Sequence, residues 1–460
     1  MRATIVSALL LIVISLLAVS AHAQPIAGQN VDVTTGNDTA ERQQVEPTIA
    51  VDPHNPSIVV AGAQDYRLLS VGAHRWHGFY RSIDGGQTWS VGLVPGFPGD
   101  NSPQGLSSPL RAFQCTSDPV LAFDRNGNLY YVGISCLPAF ILFVVKYTND
   151  GATYSSATVF NPSIYNYADK PWIVVDTSGG PNAGSVYISY DAIGFAPFGA
   201  TVVHSADGGL TWSGPQLALN NGFLSGATVD SQGRLFVTAL LAPGRTHSTI
   251  FNLIVAVSAD GGNSFTGHET IATVALLPSP LPGNFFRTFT IPQITSDSNG
   301  VYVVWDDYSL NNSNVMFAKS TDGGAAWTRP TMVNDVLTGQ HFFSSIAASG
   351  GVISIIWYDS RNGQLSSGYI TNLDVYYAES TNAGATFSAN IRVTSTSFNP
   401  NNVERADGGD TEIFMGDYIQ VAASPGTAHA VWADNRNACD NIVQPFGCTD
   451  QDAFTATITT

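Results

Sequence analysis

Seven times along the chain an apolar run is followed by a turn bearing Asp, Asn or Gly and then by a second apolar run. The copies are Glu46–Asp65, Asp118–Ser135, Asp169–Asp191, Gly226–Leu240, Pro292–Asp307, Ser344–Asp359 and Gly416–Asp434. Each reads as a pair of short antiparallel strands. No stretch carries the length and 3.6-residue period of a long amphipathic helix, so the pattern predicts an all-β chain.

A second pattern alternates with the first. Ser82–Trp89 reads Ser-Ile-Asp-Gly-Gly-Gln-Thr-Trp, and versions of it return at Thr148–Tyr154, Ser205–Trp212, Ser258–Phe265, Ser320–Trp327 and Ser380–Phe387. A period of about sixty residues marks a repeat architecture. Paired glycines permit the positive φ of a tight hairpin turn. The Asp carboxylate and the Ser or Thr hydroxyl accept backbone N–H bonds within the turn. The aromatic opens the next strand with a large apolar surface to bury.

These boxes resemble the Asp boxes, or BNR repeats, of the sialidase-like β-propellers. SIDGGQTW, SADGGLTW and STDGGAAW match well, while copies two, four and six depart at the aromatic (Tyr154, Phe265, Phe387). Copy six also has Asn382 and Ala383 where the others have Asp and Gly. The resemblance covers nearly all of residues 24–460. It implies that each box joins the third and fourth strands of a blade, on the face away from the ligand, and is structural. Seven strand pairs against six boxes imply a seven-bladed β-propeller in one domain whose last blade lacks its own fourth strand. Asn30-Val31-Asp32-Val33-Thr34-Thr35 is similar to Asn390-Ile391-Arg392-Val393-Thr394-Ser395, which follows the sixth box. The N-terminal segment is therefore expected to complete the blade containing Ala453–Thr459, closing the ring and leaving no open sheet edge.

Residues 1–23 read as a secretory signal peptide: Arg2, an apolar run from Ile5 to Val19, then Ala21-His22-Ala23 as a small-x-small cleavage site. No other run is long and apolar enough to span a bilayer. The expected location is extracellular or periplasmic, without membrane insertion after cleavage and as a monomer. The net charge of −17, with lysine only at 146, 170 and 319, argues against nucleic acid and anionic lipid as partners. Carbohydrate or a glycoconjugate is the expected partner. Cys115, Cys136, Cys439 and Cys448 suggest two disulfides in an exported chain, and the blade geometry favours 115–136 and 439–448. No Cys/His spacing suggests zinc, and no cofactor motif is present. Asp407, Asp410 and Glu412 form an acidic loop that could hold calcium but lacks EF-hand spacing.

In a propeller of this kind the starts of the innermost strands and the loops after second strands share the channel mouth. There the sequence gathers Glu46, Asp118, Asp169-Lys170 and Asp417-Tyr418 at strand starts. Asp65-Tyr66-Arg67, Asp191, Asp306-Asp307-Tyr308, Tyr358-Asp359-Ser360-Arg361 and Asp434-Asn435-Arg436 follow second strands. Arg111, Arg287 and Arg405 lie in the leading loops. Glycoside chemistry uses one carboxyl group to protonate the leaving oxygen and another as nucleophile or base. Candidate catalytic groups are Asp65, Asp118, Asp359, Asp434 and Tyr358, and candidate substrate-binding groups are Arg67, Arg287, Arg361, Arg436 and Tyr418. The resemblance implies a secreted glycoside hydrolase like the exo-sialidases, which hold a substrate carboxylate with three arginines. The family's Arg-Ile-Pro motif has only a loose echo here, Phe286–Pro292, so no arginine triad is carried over. Two alternatives stay open: a non-catalytic glycan- or protein-binding propeller, and a polysaccharide lyase using His77. The Asp-x-Arg pattern recurs in three blades, as a loop-anchoring ion pair would, and Trp305, Trp357 and Trp432 read as blade-packing residues.

Overall fold

The computed structural model describes residues 23–34, 43–71, 74–137, 139–160, 167–194, 198–242, 249–363, 365–366, 368–402, 414–438 and 451–460. Residues 1–22 of the expected signal peptide, the cysteines 439 and 448 expected to pair, Arg405 and the stretch with Asp407, Asp410 and Glu412 lie outside these residues. Seven antiparallel blade sheets succeed one another, six of them four-stranded, and five of those six are built from consecutive strands; a two-stranded hairpin, Leu365–Ser366 with Tyr369–Ile370, is inserted in the sixth. The innermost strands of blades 1 to 7 are Gln44–Val51, Cys115–Phe123, Tyr167–Val175, Gly222–Val229, Gln293–Asp297, His341–Ser349 and Gln420–Ser424. This is the expected seven-bladed β-propeller.

The seventh sheet draws on both ends of the chain. Ile26 and Ala27 pair with Thr459 and Ile458, and Val31 and Asp32 pair with Thr455 and Phe454. Asn30 then ties this outer strand to blade 6, donating to the Val393 carbonyl at 2.9 Å and accepting from the Ser395 amide at 2.6 Å. One blade earlier Asn390 does the same, donating to Val333 O at 3.2 Å and accepting from Asp335 N at 2.8 Å. The sequence likeness of the two segments thus reflects one stitch used twice. Asn30→Ala removes a donor and a multiply used acceptor, so a loss of about 1–2 kcal/mol in urea unfolding is expected. No change would mean that ring closure rests on the backbone pairing alone.

The boxes fold into one recurrent turn. Ser82, Ser205, Ser258 and Ser320 each donate to the box Asp and accept the amide of the second glycine, at 2.7–2.8 Å and 2.8–2.9 Å. Ser380 makes the equivalent contacts with Asn382 and Gly384, which is why that box survives its substitutions. The second copy is one residue shorter and turns instead through Asn149, Asp150 and Gly151, all at positive φ.

Apolar cores lie between the blades. Trp76, Trp305, Trp357 and Trp432 are fully buried in them, so the three tryptophans singled out in the sequence pack blades. Blades are also joined by buried carboxylates. Asp191 of blade 3 accepts the Leu224 and Ser225 amides of blade 4 at 2.5 and 3.2 Å. Asp306 of blade 5 accepts those of Phe343 and Ser344 in blade 6 at 2.7 and 3.3 Å. Burial outweighs these bonds and pushes both carboxyls up to about 7. The folded chain therefore binds protons more tightly than the unfolded chain, and stability from these groups falls as pH rises from about 4 through 7. Asp306→Asn cannot ionise, so its melting temperature should drop less between pH 5 and pH 8 than that of the unaltered protein. Equal drops would remove Asp306 from the account.

Candidate active site at the channel mouth

Where Glu46, Asp118 and Lys170 begin the inner part of their strands, each precedes a proline and each adopts a left-handed backbone, with φ of 50°, 58° and 46°. A non-glycine residue held there stores about 1–3 kcal/mol, and the ladder pairing slips at each site. These bulges break the strand before it enters the blade and leave a charged side chain at the channel on three successive blades. Glu46 lies near the Asp65 end of its hairpin, whereas the box turn at Ser82 lies at the opposite end, beside Val59. The cluster and the boxes are thus on opposite faces.

Lys170 is the hub. Its ammonium lies 2.5 Å from Asp417, 3.3 Å from Glu46 and 3.6 Å from Asp118. Arg287, from the segment leading to blade 5, crosses to blade 7 and meets Asp417 with two bonds of 2.9 and 2.7 Å. Its guanidinium stands over Phe414 at 4.6 Å and Phe289 at 5.3 Å. Gln64 donates to Glu46 and, at 3.0 Å, to Ser117, which donates to Asp118 at 2.7 Å. Tyr418 is partly buried beside them, its ring 5.8 Å from the Lys170 ammonium and its hydroxyl donating to Pro119 O at 3.2 Å. The Lys170 amide bridges two carboxylates, Asp118 at 3.1 Å and Asp169 at 3.0 Å.

These neighbours push the carboxyl groups apart. Burial raises Glu46 well above the usual range despite Lys170. Burial would also raise Asp118 and Asp417, but Lys170, helped by hydrogen bonds to both and by Arg287 at Asp417, holds them low. Asp169 is only half-buried, and desolvation together with the charge of Asp118 pushes it up to about 6. The ammonium of Lys170, which burial alone would weaken, is held well above its normal value by Asp118, Asp417 and Glu46. The mouth thus presents a proton-holding carboxyl beside an ionised one, framed by two cations.

Of the sequence candidates, Asp118, Arg287 and Tyr418 come together here. Asp65, Asp359 and Asp434 do not. Each is fully buried and bonded to its own arginine two residues on, at 2.5, 2.7 and 2.6 Å. Asp65 also accepts from Tyr80 at 2.6 Å, Asp359 from Trp357 at 2.8 Å and Asp434 from Trp432 at 2.7 Å. Arg361 reaches on to Asp335 and Asn390, and Arg436 to Asn30, so both arginines fasten fourth strands. Arg67 lies along the Asp65 carboxylate with two bonds of 2.9 Å from Nε. The repeated pair is a loop anchor. The structure thus engages the expected arginines 67, 361 and 436 with the expected carboxylates 65, 359 and 434, apart from the Lys170 cluster.

Tyr358 also lies apart from the cluster: it is buried between blades 6 and 7, donates to Ala433 O at 2.6 Å and is held far from ionising by burial. His77 is equally inaccessible. It is stacked 4.9 Å from Tyr131, 3.0 Å from Ser117 O, and lowered to about 4 by desolvation, so the base expected of a lyase is buried beside the cluster. Cys115 and Cys136 are bonded as expected, with Cα atoms 5.5 Å apart, beside the strand that carries Asp118. Among the described residues no group of three or more His, Cys, Asp or Glu side chains is arranged to hold a metal.

Sequence reasoning placed Glu46, Asp169 and Lys170 at the mouth but gave them no role. The missed signal was the recurrence of Glu-Pro, Asp-Pro and Lys-Pro at one repeat position.

No family model matches the chain. It is similar to a xyloglucanase of a Paenibacillus species, 24% identical over 300 residues that make up 61% of this chain and 26% of that protein. It is also similar to the xyloglucanase Xgh74A of Acetivibrio thermocellus, 30% identical over 180 residues, 36% of this chain and 19% of that one. The chain thus matches about a quarter or less of the length of these curated relatives. Among solved structures, the leech intramolecular trans-sialidase superposes with a TM-score of 0.49 at 11% identity, over 75% of this chain and 68% of that one.

Proposed function

We propose that the chain is a secreted glycan-processing enzyme, a glycoside hydrolase acting on an anionic sugar at the channel mouth in the manner of exo-sialidases. The observation that carries this reading is the pair of carboxyl groups on the Lys170 amide, one pushed up to about 6 and the other held ionised. Divergent proton affinities at one site assign an acid and a base. Asp169, the more exposed, gives its proton to the leaving glycosidic oxygen. Asp118 supplies the negative charge opposite, as nucleophile or as base for a water. Arg287 and Lys170 place positive charge where a sugar carboxylate would lie. The similarity to xyloglucanases supports glycosidic-bond cleavage as the reaction class.

The cations are also the groups most fully paired within the cluster, which favours a binding propeller as the second reading. The test offers the purified protein sialosides, uronate polysaccharides and xyloglucan, and follows products by mass. Released sialic acid supports the proposal in full. Other saturated sugars keep the hydrolase and discard the exo-sialidase likeness. Unsaturated fragments replace it with a lyase. No product from a demonstrably folded protein discards the enzyme.

A further inference from the structure

On the face opposite the Lys170 cluster, one box departs from the rest in what its aspartate does. Asp84, Asp207, Asp260 and Asp322 each accept bonds from within their own turn. The second box is a residue shorter, and its Asp150 carboxylate points instead at the turn between the first two strands of blade 2. A Cβ added to Gly127 of that turn would stand 2.3 Å from Asp150 Oδ1 and 3.4 Å from Asp52 Oδ2. Two carboxylates, from blades 1 and 2, thus converge over one glycine. Asp52 is fully buried, and its Oδ2 has no hydrogen-bond partner. Its Oδ1 is used locally, accepting the His54 amide at 2.8 Å.

The sequence shows why this oxygen lacks a donor. In blades 2 and 4 the equivalent carboxylates are Asp124 and Asp230. Their Oδ2 atoms accept from the residue that closes the turn, Asn128 at 2.7 Å and Arg234 at 2.6 Å. Each turn closes with the Asp amide on the carbonyl of that residue, and in blade 1 the residue is Ile58. An isoleucine side chain has nothing to donate. Asp176 of blade 3 also lacks a donor at Oδ2, but there the Ser178 hydroxyl, not a second carboxylate, shares the approach to Gly233.

We infer that Asp52 and Asp150 hold a calcium ion that ties blade 1 to blade 2 on the box face. A carboxylate at full burial is costly unless a charge or a metal meets it, and a second carboxylate beside it only adds repulsion. Arg81 reaches this corner but gives its Nε to the Asp150 carbonyl at 2.8 Å, and among the described residues it forms no ion pair with either aspartate. Calcium suits such donors. It takes carboxylate oxygens at about 2.3–2.6 Å in flexible geometry and fills its remaining positions with backbone carbonyls and water, so two side chains can serve. Magnesium demands a near-octahedral set and gives up its water reluctantly, so it fits a half-buried pair less well. The role is structural, independent of what the mouth binds.

The experiment follows thermal unfolding of the whole protein by calorimetry, after dialysis against EDTA, with and without millimolar CaCl2. Calcium should raise the melting temperature by a few degrees, as a ligand of the folded state does. NaCl of equal ionic strength should not. Asp52→Asn and Asp150→Asn should each abolish the calcium shift, whereas Asp322→Asn, in another box, should keep it. In EDTA, Asp52→Asn should melt no lower than the unaltered protein, since it removes one of two facing charges and keeps Oδ1 for His54. A shift that survives both substitutions puts the ion elsewhere, as at Asp407, Asp410 and Glu412, and overturns the site. So does the absence of a shift, or one that NaCl reproduces. An Asp52→Asn protein that melts lower in EDTA overturns it as well, because Arg81 would then already neutralise the pair.

Discussion

Asp169→Asn should lower kcat on the best glycan of the panel by roughly 10²–10⁴-fold, the usual contribution of a positioned acid, while leaving the melting curve almost unchanged. Asparagine keeps the shape and the bond from the Lys170 amide but has no proton to give. Asp169 is partly exposed at the edge of the cluster, so little packing depends on it. The pH profile supplies the sign. With the carboxyl pushed up to about 6, the acid form is lost as pH rises through that value, and kcat/KM should fall on the alkaline side. Asp118, held low beside Lys170, must be ionised, so a second limb should fall at acid pH. The two limbs belong to a coupled set, and the profile reports the pair. If Asp169→Asn keeps more than a tenth of the activity, or the alkaline limb is missing, the acid lies elsewhere.

Lys170→Met should cost about 3–5 kcal/mol of stability, the range found when one partner of a buried ionic group is removed. Methionine fills much of the same space, so the loss is chiefly electrostatic. Asp417 keeps Arg287, whereas Glu46 and Asp118 lose the only cation in direct contact with them among the described residues. The loss should be larger at pH 8 than at pH 4, since protonating the stranded carboxylates relieves their repulsion. Adding Glu46→Gln should cost less than the sum of the two single changes, because both act on one network. Urea unfolding of the four proteins measures all of this. A loss below about 1 kcal/mol at pH 8 would show that the cluster is solvated and weak.

The architecture was legible because its signals are local and repeated. Ser-x-Asp-Gly-Gly closes a turn with its own side chains, and seven hairpins against six boxes left only the chain's beginning to fill the gap. The site was less legible because its geometry is not local. Asp359 and Arg361 have the composition of a catalytic pair, and nothing in the sequence shows that Trp357 and Asn390 already occupy them. Tyr358 and Asp359 are neighbours whose side chains leave the strand on opposite faces, and only the packing of blade 7 against blade 6 puts the tyrosine in a core. The partners of Lys170 come from three other blades. What a one-dimensional reading could have used was the recurring charged residue before proline.

The union of the two ends in one sheet also bears on how the molecule is assembled. Asn30 and Arg436 are separated by 406 residues of sequence, and Ile26 pairs with Thr459. Blades 1 to 6 can each form from a continuous piece of chain as it is synthesised, but blade 7 must wait for the final strand, Asp452–Thr459. Until then the first strand has no partner and blades 1 and 6 have no neighbour between them. Closure of the ring therefore cannot precede that strand, and it brings together segments 406 residues apart, a long loop to close. A nascent chain arrested before residue 452 should expose the flanks of blades 1 and 6 to chaperones, however well its middle blades have set.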